Sequence, residues 1–214
     1  MNQPVTLYAN SQYSSPYALS VYATLLEKGV PFELRTVDLA AGEHLTQDYT
    51  RLSLTSRVPA LVAGDFSLSE SSAIVEYLEE AFPAPDYPSV YPAALKQRAH
   101  ARQIQAWVRS DLGALREERP TTVIFGAKNP APLTPQGQQA VEKLLIVADQ
   151  LIDDQGNHLF GSWSIADVDF SVMLNRLCAN GDPVPAKVKA YVDRQTARPC
   201  VQHWWELAKK IRSI

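Results

Sequence analysis

The chain has 214 residues, which at about 150 residues per domain makes roughly 1.4 domains: one large domain or two small ones. Apolar residues make up 46%, charged residues 20%, and the net charge is −3, which excludes a disordered chain and gives no basic footprint for nucleic acid. Two cysteines exclude a disulfide scaffold and a four-cysteine zinc site.

No segment approaches the roughly 18 apolar residues of a membrane span. The first residues show no basic stretch followed by an apolar run, so a secretory signal is not expected. A cytoplasmic protein with reduced thiols and no membrane partner is the expectation.

In chain order, Val5, Leu7 and Ala9 alternate and predict a short strand. Pro16 opens a helical stretch through Leu26, stopped near Gly29 and Pro31. Phe32 to Val37 reads as a second strand, and residues 44–52 as a short helix. Two strands, over 60–62 and 66–68, flank Gly64-Asp65, a pair suited to a type II′ hairpin turn. A helix follows over about Ser71 to Ala81. A crossover helix makes the first strand pair parallel, and the hairpin adds an antiparallel pair.

Pro83, Pro85, Pro88 and Pro92 then interrupt helix and sheet alike. They divide the chain into a domain over 1–82, a linker over 83–92 and a domain over 93–214. Charge changes too: residues 1–85 hold 4 Lys+Arg against 10 Asp+Glu, residues 86–214 hold 16 against 13.

The second part reads as all helical. Ile104, Trp107, Val108, Leu112 and Leu115 form one apolar stripe; Val141, Leu144, Leu145, Ala148, Leu151 and Ile152 form another. Ile165 to Ala179 is apolar around much of its circumference and predicts a central buried helix, opened by Ser164-Ile165-Ala166-Asp167 as a capping box with Asp in place of Glu. Val188 to Val192 and Val201 to Ile211 predict two more helices. Arg119 to Pro135 is a Pro- and Thr-rich connection long enough to be a mobile loop.

Three strand–helix junctions carry candidate chemistry. Ser15 falls at the N-cap before Pro16, where its hydroxyl and free helix N–H groups suit an anion or thiolate. Val58-Pro59 enters a strand, and a cis bond there would leave the Val58 backbone free for a bound peptide. Glu70-Ser71 opens a helix, where an acid and free amides suit an α-amino acid head group. Read alone, each also fits a purely structural role: a serine cap, a trans proline at an edge strand, a helix cap.

Taken together, Ser15-Pro16, Val58-Pro59, Glu70-Ser71 and the helical half with Ser164-Ile165-Ala166-Asp167 resemble the cytosolic glutathione transferase family over essentially the whole chain. Ser15 resembles the serine version of the theta- and zeta-like classes. The resemblance implies a thioredoxin-like β-α-β-α-β-β-α domain that binds glutathione, followed by an all-helical domain that covers a second substrate.

By the same matching, Ser15 contacts the glutathione sulfur, with its neighbour Ser14 as the alternative contact. Val58 pairs with the cysteinyl backbone, Glu70 and Ser71 hold the γ-glutamyl end, and Arg57 and His44 lie toward the glycyl end. Where the family often has Asn-Pro and a glycine before Val-Pro, this chain has Ser53-Leu54 and Ser56. Tyr13, Trp107, Ser110 and Asp111 are candidates to face the acceptor pocket.

The implied co-substrate is glutathione, with no metal, and the implied assembly is a homodimer. The implied activity is attack of a glutathione thiolate on small electrophiles, with peroxide reduction as an additional activity. Disulfide reduction, a zeta-like cis-trans isomerisation and a non-catalytic scaffold remain as alternatives. Cys178 lies in the predicted central helix and Cys200 follows Pro199 near the last one; neither is at the Ser15 position, so a protein-cysteine redox site is not expected there.

Overall fold

The structure is a computed structural model and describes residues 4–155 and 157–212. Four strands, β1 (Val5–Asn10), β2 (Phe32–Val37), β3 (Ala60–Ala63) and β4 (Phe66–Ser69), form one sheet in the order β2-β1-β3-β4. β1 pairs parallel with β2, Asn10 opposite Val37; it pairs antiparallel with β3, Tyr8 opposite Ala60; and β3 pairs antiparallel with β4, Ala60 opposite Ser69. The alternation in β1 buries Leu7 and Ala9 completely. Gly64 turns the hairpin with φ +65°, the left-handed value that glycine takes without a Cβ clash.

Helix α1 (Pro16–Lys28) starts at the Ser15 cap and ends at Gly29, in the left-handed conformation with φ +66°. It runs two residues past the sequence expectation because Lys28 is held inside the fold. Its Nζ donates to Glu79 Oε2 at 2.6 Å and to Pro88 O at 2.9 Å. The expected helix over 44–52 divides into a 3₁₀ turn (Glu43–Leu45) and α2 (Gln47–Leu52), capped by the Thr46 hydroxyl. Helix α3 (Ser71–Ala81) follows β4. No helix or strand forms over residues 83–94.

The helices α4 (Leu95–Ser110), α5 (Gly113–Glu118), α6 (Pro135–Leu151), α7 (Ile165–Asn180) and α8 (Ala186–Thr196) lie in a second compact unit, Tyr91–Arg198. Every residue of α7 from Ile165 to Leu177 is buried, and its Phe170, Leu174 and Leu177 share a core with Leu115, Leu144 and Tyr191. At its start Asp167 Oδ2 accepts the N–H and the hydroxyl of Ser164 at 2.8 and 3.1 Å, and Oδ1 accepts from Leu159 N–H and Tyr191 Oη at 2.9 and 3.1 Å. The last helix, α9 (Pro199–Arg212), groups with residues up to Val90 in the first compact unit and packs on α1.

Two expectations change. The stripe from Ile104 to Leu115 is not one helix: it breaks at Leu112, whose φ is +61° and whose N–H is taken by the Asp111 carboxylate at 2.7 Å. Leu112 and Leu115 still reach the core, which is why their spacing reads straight through the break. The segment from Arg119 is also not a free loop. Arg119, 3% exposed, pairs with Asp182 through Nε and Nη2 at 2.7 and 2.8 Å, Arg176 Nη1 donates to Arg119 O at 2.8 Å, and Asn129 N–H donates to Asn180 Oδ1 at 2.8 Å. Residues Thr121–Phe125 form a 3₁₀ turn.

Gly137 in the first turn of α6 shows how closely this segment packs. A Cβ there would lie 2.5 Å from Glu118 Oε2, and Glu118 already accepts Thr134 N–H and Oγ1 at 2.8 and 2.6 Å. Glycine to alanine in a helix normally stabilises by up to about 1 kcal/mol, some 2–4 °C in a chain of this size. Gly137→Ala is expected to show no such gain by thermal unfolding, and to show it in a Glu118→Ala background.

Candidate active site at one end of the sheet

The strand register brings the predicted anchors to one end of the sheet. Asn10 ends β1 beside Val37, which ends β2; Ala60 begins β3 beside Tyr8; and Ser69 ends β4 beside Ala60. Ser15 follows β1, His44 follows β2, Arg57 and Val58 precede β3, and Glu70 and Ser71 follow β4. In an open sheet with parallel strands this is the end where ligands bind.

Ser15 caps α1. Its Oγ accepts Ala18 N–H at 3.2 Å, and its own N–H donates to Asn10 Oδ1 at 3.0 Å. Ser14 Oγ accepts from Asn10 Nδ2 at 2.9 Å. Both serines are half-buried. The preceding Tyr13 has φ +50° and stands edge-on to Trp204 of α9, ring centroids 5.3 Å apart. Tyr22 of α1 meets Trp204 as well, and its Oη lies 2.8 Å from His203 Nδ1. Burial first, then Tyr13 and Cys200, pushes the Tyr22 phenol up to about 12.

The Val58-Pro59 bond is cis. Val58 packs with Tyr8 against Val37, Tyr49 and Ala60. The chain before it is held by its own side chains: Ser53 Oγ and Tyr49 Oη both donate to Arg57 O at 2.9 Å, and Arg57 N–H donates back to Ser53 Oγ at 3.2 Å. Ser53 is fully buried, and Ser56 sits at φ +53°. At the positions where this sequence has serine, Ser53 thus supplies loop hydrogen bonds and Ser56 a left-handed turn. The Arg57 side chain is exposed. Among the described residues Val58 N–H and C=O make no hydrogen bond.

Glu70 occupies the N-cap position of α3 with φ +73°, costly for any residue but glycine; its side chain makes no capping hydrogen bond and the residue is exposed. A cost of about 1–3 kcal/mol for such a conformation is held in place by the structure on either side and marks a candidate functional position. Ser71 is buried at 4% exposure. His44 lies in the 3₁₀ turn, and its Nδ1 is buried with no hydrogen-bond partner among the described residues.

The remaining candidates are occupied. Trp107 Nε1 donates to Asp111 Oδ2 at 2.9 Å, Asp111 also pairs with Lys143, and Ser110 Oγ donates to Ala106 O at 2.9 Å. Hydrogen bonds from Lys143, Leu112 N–H and Trp107 hold the Asp111 carboxyl down at about 2. Cys200 is buried, and burial pushes the Cys178 thiol up to about 11, so Cys178 is not an activated thiol. Among the described residues no group of three His, Cys, Asp or Glu could hold a metal ion, and no helix is long and apolar enough to cross a membrane. Sequence reading missed Asn10 and Trp204; the one available signal for Asn10 was a polar residue closing an otherwise apolar strand end.

A β2-β1-β3-β4 mixed sheet with a capped helix after β1 is the thioredoxin-like arrangement, here followed by a helical unit. Residues 14–81 match the glutathione S-transferase N-terminal domain, and residues 94–210 match the glutathione S-transferase C-terminal domain. A glutathione transferase homolog from Burkholderia, solved with bound glutathione, is 48% identical and superposes with a TM-score of 0.80 over 97% of this chain and 99% of its own. Poplar glutathione transferase F1 is 25% identical, with a TM-score of 0.72 over 97% of this chain and 99% of its own. Human glutathione S-transferase theta-1 is 38% identical over 141 residues, 64% of this chain and 56% of that protein. The chain thus spans little more than half the length of the first curated relatives it matches. The chain belongs to the glutathione transferase family.

Proposed function

We propose that the chain is a glutathione transferase that ionises the glutathione thiol at Ser15 and delivers the thiolate to a small electrophile. The observation that carries this is the convergence of Ser15, Val58 and Glu70-Ser71 at one end of the sheet, with Ser15 capping α1. In this reading the Glu70 carboxylate pairs with the α-ammonium of the γ-glutamyl group. Ser71 and the first amides of α3 take its carboxylate, Val58 pairs with the cysteinyl backbone, and Arg57 and His44 face the glycyl end.

A free thiol has a pKa of about 8.5, and lowering it by two units takes about 2.7 kcal/mol. A hydroxyl bond to a charged acceptor contributes about 1.5–3 kcal/mol and a helix N-terminus about 0.3–1 kcal/mol, so the two suffice. Ser15 stabilises the nucleophile and is not itself attacked or consumed. A homodimer in the cytoplasm, with hydroperoxide reduction as an additional activity, completes the proposal.

The test is a pH titration of thiolate ultraviolet absorbance with bound glutathione, joined to turnover assays with aryl halides, hydroperoxides, disulfides and a cis-dienoic acid. A bound thiol pKa one to two units below that of free glutathione, with turnover of an aryl halide, is expected. Absence of glutathione binding, or binding with an unshifted thiol, would make the protein a scaffold. Turnover of the dienoic acid alone, without consumption of glutathione, would make it an isomerase.

A further inference from the structure

Asn10, 6% exposed, closes β1 and engages both serines with one side-chain amide. Its orientation is set by the backbone: Ser15 N–H can only donate, so Oδ1 must face it, which leaves Nδ2 to donate to Ser14 Oγ. A hydroxyl carries one proton and two lone pairs. Ser14 Oγ accepts from Asn10, and Ser15 Oγ accepts from Ala18 N–H. Among the described residues neither hydroxyl donates to another group, so each keeps its proton for a ligand. Were residue 10 an aspartate, Ser14 would donate to it and that proton would be spent.

We infer that Ser14 is a second thiolate donor beside Ser15, and that Asn10 is the positioning residue that keeps the Ser14 proton available. The inference rests on the glutathione-thiolate reading and deepens it. Two consecutive half-buried hydroxyls, both held as acceptors by protein N–H groups, form a donor pair at the start of α1. Ser15 is tied to the helix and Ser14 to the strand, so Asn10 sets the first residues of the loop against the end of the sheet. The reacting thiolate would then receive two hydrogen bonds, and each is removable separately.

The test measures the pKa of bound glutathione and the kinetic constants in Ser14→Ala, Ser14→Thr, Asn10→Ala and Asn10→Ala/Ser14→Ala. Ser14→Ala should raise the bound thiol pKa by about one unit, equivalent to about a tenfold loss of thiolate at low pH. It should lower kcat while KM for glutathione stays within about twofold. Ser14→Thr, which keeps the hydroxyl, should restore the wild-type value. In the Asn10→Ala background, Ser14→Ala should have less effect than in the wild type.

An unchanged pKa in Ser14→Ala overturns the donor role. A full Ser14→Ala effect in the Asn10→Ala background overturns the positioning role. If Asn10→Ala does not fold, Asn10→Asp keeps the acceptor for Ser15 N–H and decides the point. It should reproduce the Ser14→Ala shift and add little to it in the double variant, whereas a shift that persists in full without Ser14 is a bare charge effect and overturns the positioning role. An unshifted thiol in the wild type would instead refute the transferase reading itself, so the two failures are distinguishable.

Discussion

Ser15→Ala is expected to move the acid limb of the kcat/KM profile for the electrophile, measured at saturating glutathione, up by about one to two pH units. A lost hydroxyl bond to a charged sulfur is worth about 1.5–3 kcal/mol, and about 1.4 kcal/mol is one unit. Below both pKa values the thiolate fraction falls about 10- to 100-fold. The rise in pKa partly offsets this, because a more basic thiolate is intrinsically more nucleophilic, with a Brønsted slope of about 0.4–0.5. The net loss at low pH is therefore about 3- to 20-fold, and at pH values above both pKa values, where both thiols are fully ionised, the sign reverses and the variant should react about 2.5- to 10-fold faster. A variant equally slow at every pH would show that Ser15 matters only to the fold. The same substitution removes the helix cap on Ala18 N–H, so thermal unfolding should register a separate cost of about 1 kcal/mol.

Lys28→Met should cost about 3–5 kcal/mol, because it strands a buried carboxylate. Lys28 and Glu79 side chains are 0% and 7% exposed and meet at 2.6 Å. The Glu79 carboxylate also accepts Val90 N–H at 3.1 Å and a bond from Ser89, so one cluster joins the end of α1, α3 and the proline-rich segment. Burial pushes the Glu79 carboxyl up, but the bonds from Lys28, Ser89 and Val90 outweigh it and hold the group below its usual value of 4.5.

The direction with pH follows from linkage. An acid whose folded pKa is depressed contributes stability above its unfolded pKa and loses it as pH falls through the folded value. Wild-type stability from this cluster is thus complete above about pH 4.5 and declines at more acidic pH. Removing Lys28 removes part of the depression, so in Lys28→Met the acid-dependent loss should shrink. Denaturant unfolding at neutral and acidic pH checks both statements. A variant as stable as the wild type at neutral pH would refute the assignment of the cluster as a structural tie.

What could be read without coordinates was local. Period two in β1, the Ser15-Pro16 start and Gly29 stop of α1, the Gly64 turn and the Ser164–Asp167 start of α7 involve residues a few positions apart. Alternation, capping and turn chemistry act at that range, so the order of elements and the candidate residues Ser15, Val58, Glu70 and Ser71 were legible. Their arrival at one end of the sheet was not local; it depends on strand register, which is set only when long loops close.

The same holds where expectation and structure part. Leu112 breaks a helix whose apolar spacing continues, because the core accepts both leucines from either side of the break. The segment after Glu118 is pinned because Arg119 meets Asp182, 63 residues away. Ser56 takes a left-handed conformation that its own preferences disfavour, between bonds that Ser53 and Tyr49 make to Arg57. Period, caps and turns are written in neighbouring residues. The choice of buried partner, and with it which hydroxyl protons are spent and which are left for a ligand, is made only when distant parts of the chain pack together.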